Sequence, residues 1–296
     1  MHSHTTSYIH YGFYKASKFL GYETYWLDDI EENKNFNFDD ALVISERNVI
    51  NHLPIVSSAK YFIHNLINDF NEYVPSEHEN YWNYFVYHDS YSFPKDLIQI
   101  DNHSWISQKT KTIIIRWATD LLPFEINKIK PILHDNNKQC NFFVGSMQGP
   151  NIINFANICN NNKKIFINLG GYSGEASQIN NGSRFFTQEE NIQFVQDSYL
   201  SFDIREAIST DINPGYVACR IFKNISYGRW TGSNLPNVSE LLDGNVTENR
   251  NLEDLYYQLE RDSINATADK IQKAMNYVKE NHTYINRLKS FLEVIK

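Results

Sequence analysis

The apolar positions of "SYIHYGFYKASKFLGYETYWLDD" fall at Ile9, Phe13, Ala16, Phe19 and Leu20, three and four residues apart, which marks one face of a helix. Ser7 suits its N-cap and Gly21 its end, and "YETYWL" beyond the glycine reads as a strand. Short strand-like runs then recur in "DDALVISERN", "SAKYFIHN", "ENYWNYFVYHDS" and "KTIIIRWATD". Their spacing of roughly 20 to 25 residues predicts strands with connecting segments, and so a parallel sheet. A second series begins near Lys138. "QCNFFVGS", "KKIFINLGG", "SYLSFDIR" and "WTGS" read as strands; "GPNIINFANICNN", "TQEENIQFVQDS", "CRIFKNISYG" and "PNVSELLDG" read as the helices between them. Pro150 sits where a first helical turn tolerates it, and Glu189 and Glu190 put negative charge at a helix start. From "LEDLYYQLE" onward the pattern is helical.

The expected architecture is α/β with two consecutive halves joined near "LLPFEINKIKP". Residues 1–125 form an N-terminal Rossmann-like domain, 126–275 a C-terminal one, and 276–296 a helix that packs back on the first. Such a pair places its ligand in a cleft facing the carboxyl ends of both sheets. Only "MHSHTT" precedes the first helix, so an opening strand is either very short or missing.

Composition narrows the function. Hydrophobic residues make up 42% of the 296 and aromatics 15%, enough for packed cores and against disorder. A net charge of -8 argues against a nucleic-acid partner, although a local basic pocket remains compatible with it. Cys140, Cys159 and Cys219 show neither disulfide nor zinc-ligand spacing, which points to a reducing compartment. No apolar run approaches the ~20 residues of a membrane span and no signal peptide is visible, so a cytoplasmic protein without membrane insertion is expected.

The residues after the strands of the second half carry the candidate chemistry. "LGGYSGEAS" is a Gly/Ser loop whose backbone amides, around Ser173 and Gly174, suit a base or phosphate. Arg205 follows the "SFDI" strand. Tyr216, Arg220, Lys223 and Asn224 surround a helix start, the end that favours anions, and Ser233 adds a small hydroxyl after the next strand. Arginine forks and a lysine point charge suit phosphate oxygens. Together these residues fit a nucleoside diphosphate. Neither GxGxxG after the first strand nor GxxxxGK[ST] occurs, so a dehydrogenase or P-loop reading has no support.

The stretch "YLSFDIREAISTDINPGYVACRIFKNISYGRWTGSNLPNVSELLDG" resembles the donor-site region of GT-B glycosyltransferases. Its layout is similar to the α1,3-fucosyltransferase donor motif, with Tyr216 on the family's tyrosine and Arg220 on its lysine; Cys219 replaces the glutamate before that lysine. Against the broader GT-B pattern, Arg220 matches the phosphate-binding lysine and Lys223 replaces a glutamate. The opening "HTTSYIHYGFYKASKFLGYETYWLDD" resembles a GT-B acceptor-domain start, and the chain is also similar to small surface-glycan transferases of bacteria and large DNA viruses. The resemblance implies two Rossmann-like domains facing each other across a cleft, a UDP- or GDP-linked sugar as donor, a glycan acceptor, and no further cofactor.

An inverting transferase needs a base near the acceptor hydroxyl. Glu46 and His4 are the favoured residues; His10, His64, His88, Asp89 and Asp120 are the others, Asp120 also suiting a helix cap before "LLPFEI". No Asp-x-Asp pair follows a strand; Asp28 and Asp29 read as a cap or loop, and no metal is expected. The rival reading is a non-catalytic bilobed module that binds a small anion or glycan.

Overall fold

The computed structural model describes residues 7–27, 34–47, 53–64, 80–86, 94–145, 147, 149–170, 186–206 and 217–296. The chain divides into two compact units, one built from residues 1–120 together with 284–296, the other from 121–283. It is a mixed α/β protein.

Unit 1 holds a six-stranded sheet. Its strands are Leu42–Glu46 (β1), Lys60–His64 (β2), Tyr81–Val86 (β3), Ile98–Asp101 (β4), Ser104–Ser107 (β5) and Thr112–Ile115 (β6), ordered β1-β2-β3-β6-β5-β4. The first four in that order run parallel, and the β6–β5 and β5–β4 pairs are antiparallel. "TIII" of β6 is buried at every position, the signature of a strand covered on both faces. Alternation divides β2 between the two faces. Tyr61 and Ile63 join Ala59 and Tyr81 in one apolar cluster, with Tyr61 and Tyr81 stacked at 4.7 Å. Phe62 points the other way and stacks on Phe291 at 4.3 Å. Phe291 belongs to the helix Tyr284–Val294, the last of the chain, which packs on the first helix, Ser7–Phe19 (α1). Phe13 of α1 closes that core, 5.0 Å from the Phe291 ring and 6.2 Å from Tyr84.

Two expectations are corrected here. The sheet is not wholly parallel: the β4–β5 hairpin extends one edge through a turn at Asn102 and His103. "YETYWL" is no strand; Trp26 packs edge-on against Tyr11 and Tyr14, and Tyr25 against Phe36, so its aromatics cover rather than pair. The parallel strands follow chain order across the sheet, so no reversal of order opens a crevice among the described strands of this unit.

Unit 2 begins with the short helix Pro123–Ile126 (α2). Its cap is Leu122, whose N–H donates to the Glu125 carboxylate at 2.6 Å, so the cap position that Asp120 also suited in the sequence belongs to Leu122. There follow Cys140–Val144 (β7), Pro150–Asn161 (α3), Ile165–Gly170 (β8), Gln188–Asp197 (α4), Phe202–Asp203 (β9), Cys219–Ser226 (α5), Gly232–Ser233 (β10), Val238–Leu241 (α6), Thr247–Glu248 (β11), Leu252–Asn265 (α7) and Ala268–Asn281 (α8). The Tyr284–Val294 helix of unit 1 is then α9. Thr187 and Glu190 close α4 with a reciprocal capping box.

β8 pairs with β7, and β9-β10-β11 form a second ladder, every pair parallel. Backbone and side-chain hydrogen bonds join the two ladders. Tyr199, leading into β9, donates its N–H to the Cys140 carbonyl at 2.7 Å. Leu200 donates to Asn141 Oδ1 at 2.9 Å, and Phe142 to Ser198 Oγ at 3.0 Å. Asn141 and Ser198 are buried, so they stand in for ladder bonds that water cannot supply. These bonds bring the segment leading into β9 against β7, while the ladders stay separate sheets, β8-β7 and β9-β10-β11. Phe202 anchors the core with its ring against Phe143, Phe155 and Phe166.

Candidate functional site

The carboxyl ends of β7 and β9 meet at one guanidinium. Arg220, in the first turn of α5, donates through Nη1 to Asp203 Oδ1 at 2.8 Å and through Nη2 to the Val144 carbonyl at 3.1 Å. Its charge lies over the Phe143 ring at 4.2 Å. Gly145 makes this approach possible, because a Cβ there would collide with the same guanidinium. Arg205 reaches the same carboxylate from the other side, Nη2 to Oδ1 at 2.9 Å and Nε to Oδ2 at 3.2 Å. Asp203 is fully buried and is shared by the two arginines. Desolvation lowers the Arg220 pKa from its ordinary value, the neighbouring Arg205 lowers it further, and Asp203 opposes both.

The backbone under this cluster is held from two sides. Asn234, just past β10, accepts from the Arg205 N–H at 2.8 Å and donates to its carbonyl at 2.7 Å. Asn151 Nδ2, at the start of α3, donates to that carbonyl at 2.7 Å. The Asn151 N–H meets the Glu206 carboxylate at 3.0 and 3.2 Å. The N-terminus of α3 is therefore already supplied with an anion by the chain itself. At α5 the N-cap is Ala218, which has no side-chain oxygen to offer its N–H groups, and Arg220 stands in that turn.

The other residues expected from sequence divide clearly. Asn224 is buried and donates to the Phe202 carbonyl at 3.1 Å, tying α5 to β9. Ser233 is buried and donates to the Asp203 carbonyl at 2.8 Å, fixing the strand that carries the cluster. Lys223 is not at a helix start: α5 begins at Cys219, so Lys223 falls in its last turn, where a cation suits the negative end of the helix. Ser173, Gly174, Tyr216, His4, His88, Asp89, Asp28 and Asp29 lie outside the described residues. Asp203, Asn234, Asn151 and Glu206 were missed. The signal for Asp203 was present in "FDIRE", an acid two residues before a base at a strand end.

Unit 1 carries a second cluster. Register sets Glu46 of β1 opposite His64 of β2, and His64 opposite Tyr84 of β3, so the three side chains form a row on one face. His64 Nδ1 lies 3.1 and 3.3 Å from the Glu46 carboxylate oxygens. Its ring stacks on Tyr84 at 4.8 Å. His10 of α1 places Nε2 2.6 Å from the Tyr84 hydroxyl and 3.8 Å from Glu46. Burial, then the nearby Glu46, pushes the Tyr84 phenol well above its ordinary pKa.

A third grouping has the residue types of a hydrolase triad but not the proton arrangement. His103 Nδ1 lies 3.2 Å from Asp101, and Ser290 Oγ 3.3 Å from His103 Nε2. Ser290, however, donates to the same Asp101 at 2.8 Å and is buried on α9. The ring of bonds ties α9 to the β4–β5 hairpin.

Among the described residues no group of three His, Cys, Asp or Glu is disposed to hold a metal ion, and no helix is long and apolar enough to cross a membrane. No protein-family model, no curated protein and no solved structure matches the chain.

Proposed function

We propose that the protein is a glycosyltransferase of the GT-B type, moving a sugar from a UDP- or GDP-linked donor to a glycan hydroxyl. The observation that carries this reading is the pair of arginines on Asp203 at the carboxyl end of β9, beside the start of α5, whose N-cap Ala218 offers no side-chain oxygen. A diphosphate is the ligand that matches it: forked guanidinium donors and backbone N–H groups both favour oxyanions. Because Glu206 fills the start of α3, the diphosphate is directed to the α5 side. Fixed cations there favour bond breaking, since charge grows on the departing diphosphate as the glycosidic bond opens. The reaction needs no cofactor beyond the donor itself.

Thermal unfolding in the presence of UDP, GDP and CMP tests the reading. A ligand at ~100 times its Kd stabilises the folded state by about 2.7 kcal/mol. Stabilisation by UDP or GDP, weakened tenfold or more in affinity in Arg205→Ala, is the expected result. Equal indifference to all three nucleotides would overturn it. Arg205 is the better probe than Arg220, because Arg220 also holds the Val144 carbonyl and its loss disturbs the sheet.

A further inference from the structure

We infer that Asn234 is the positioning residue of the Asp203 site, acting on a bound anion through Arg205; the inference rests on the diphosphate reading of that site. The β9–β10 ladder runs out at the pair Asp203 and Ser233. Arg205 lies beyond that last pair, so its N–H and C=O need partners that the ladder does not supply. Asn234, the residue after Ser233, supplies both. Its Oδ1 accepts the Arg205 N–H at 2.8 Å, and its Nδ2 donates to the Arg205 carbonyl at 2.7 Å. One primary amide thus does for Arg205 what the N–H and C=O of a neighbouring strand do inside a ladder.

That grip has a direction. A residue held at both its N–H and its C=O has little freedom left in φ and ψ, so its Cα–Cβ bond is aimed. The Arg205 side chain leaves this fixed base to meet Asp203 at 2.9 and 3.2 Å, with 23% of its surface exposed. Ser233 holds the clamp itself in place. Its Oγ donates to the Asp203 carbonyl at 2.8 Å and accepts the Leu235 N–H at 3.2 Å, which fixes the backbone on both sides of Asn234.

A long side chain ordered before a ligand arrives costs less entropy when the ligand binds. Asn234 therefore raises anion affinity without needing to touch the anion. Aspartate could not replace it. A carboxylate would accept the Arg205 N–H but set a charged oxygen against the Arg205 carbonyl, and it would compete with the anion for the arginines. Asn151 ranks below Asn234, because its amide reaches the same carbonyl at 2.7 Å but not the N–H.

The test is a double-mutant cycle on the full chain, read by isothermal titration with UDP, GDP and inorganic pyrophosphate. Arg205→Ala removes the guanidinium and leaves the bonds of Asn234 in place, since they are made to backbone. Asn234→Ala is expected to weaken binding about tenfold, the scale of a lost hydrogen bond. In the Arg205→Ala background the same change is expected to cost less than about twofold, because the group it positions is gone. A merely structural role would cost the same in both backgrounds, and the losses would multiply to about a hundredfold. Parent affinity in Asn234→Ala, losses that multiply, or a larger loss in Asn151→Ala would overturn the inference. Asn234→Ser, whose hydroxyl can keep one of the two bonds, takes the place of the alanine variant if thermal unfolding shows that chain to be unfolded. A parent chain that binds pyrophosphate but neither UDP nor GDP would overturn the transferase reading, and the cycle on pyrophosphate would still decide the role of Asn234. A folded parent that binds none of the three would overturn both.

Discussion

Asp101, His103 and Ser290 show what one buried imidazole does to stability. Desolvation, then the Arg287 guanidinium, pulls the His103 pKa down from 6.5 to about 3, against the pull of Asp101. The unfolded chain therefore takes up a proton near pH 6.5 and the folded chain only near pH 3. Stability from this group is whole above pH 6.5 and drains as the pH falls toward 3, by about 1 kcal/mol per pH unit. Urea unfolding between pH 7 and 4 should show that slope, and His103→Gln should flatten it. An unaltered slope in the variant would mean the acid sensitivity lies elsewhere. The groups around His103 are Asp101 and Ser290 by contact and Arg287 and Arg116 by charge.

At the scale of an element, the start of α3 is the sharpest case. Gly149 precedes Pro150 with φ of 106°, and a Cβ there would meet the Glu206 carboxylate. Gly149→Ala is therefore expected to strain the turn and expel Glu206 from the helix start, at a cost of about 1–3 kcal/mol in chemical denaturation, while Glu206→Gln alone costs about 1 kcal/mol. A Gly149→Ala protein as stable as the parent would show that the contact yields freely. Elements of this kind were largely legible in the sequence. "TIII" and "CNFFV" are apolar runs too short for helices, and Thr187 with Glu190 spells a helix start. The β4–β5 hairpin was not legible, because Ile98 is exposed and its alternation signals no core. The site was legible only in part. Arg205 and Asp203 are neighbours in the chain, but Arg220 joins them from α5 across an undeclared distance in space. Which face Glu46 and His64 share is a fact of register, and register is decided by pairing partners, not by either strand alone.

Over the whole molecule, the chain leaves unit 1 at Asp120 and returns to it at Tyr284. Unit 2 is contiguous and has a core of its own around Phe202, Phe155 and Phe222. Unit 1 instead depends on α9, whose Phe291 stacks on Phe62 and Phe13. A chain ending at Thr283 should keep the amide protection of unit 2 and lose that of β1, β2 and β3, since removing one such ring from a core costs about 3–5 kcal/mol before the rest of the helix is counted. Hydrogen exchange resolved by peptide checks this, and protection surviving in β2 would show that α9 is dispensable.

The return of the chain through α9 also sets an order in time. A ribosome adds some 5–20 residues each second, and domains fold as they emerge. Everything unit 2 needs is synthesised before the first residue of α9 exists, whereas the strands of unit 1, although made earlier, must wait for it. Until then Phe13, Phe62 and Tyr84 lack the Phe291 ring that covers them. Translation halted in that interval leaves a finished half attached to an unfinished one, the apolar face on display that chaperones and proteases recognise. The last helix thus doubles as a seal, closed only on chains that have been read through to it.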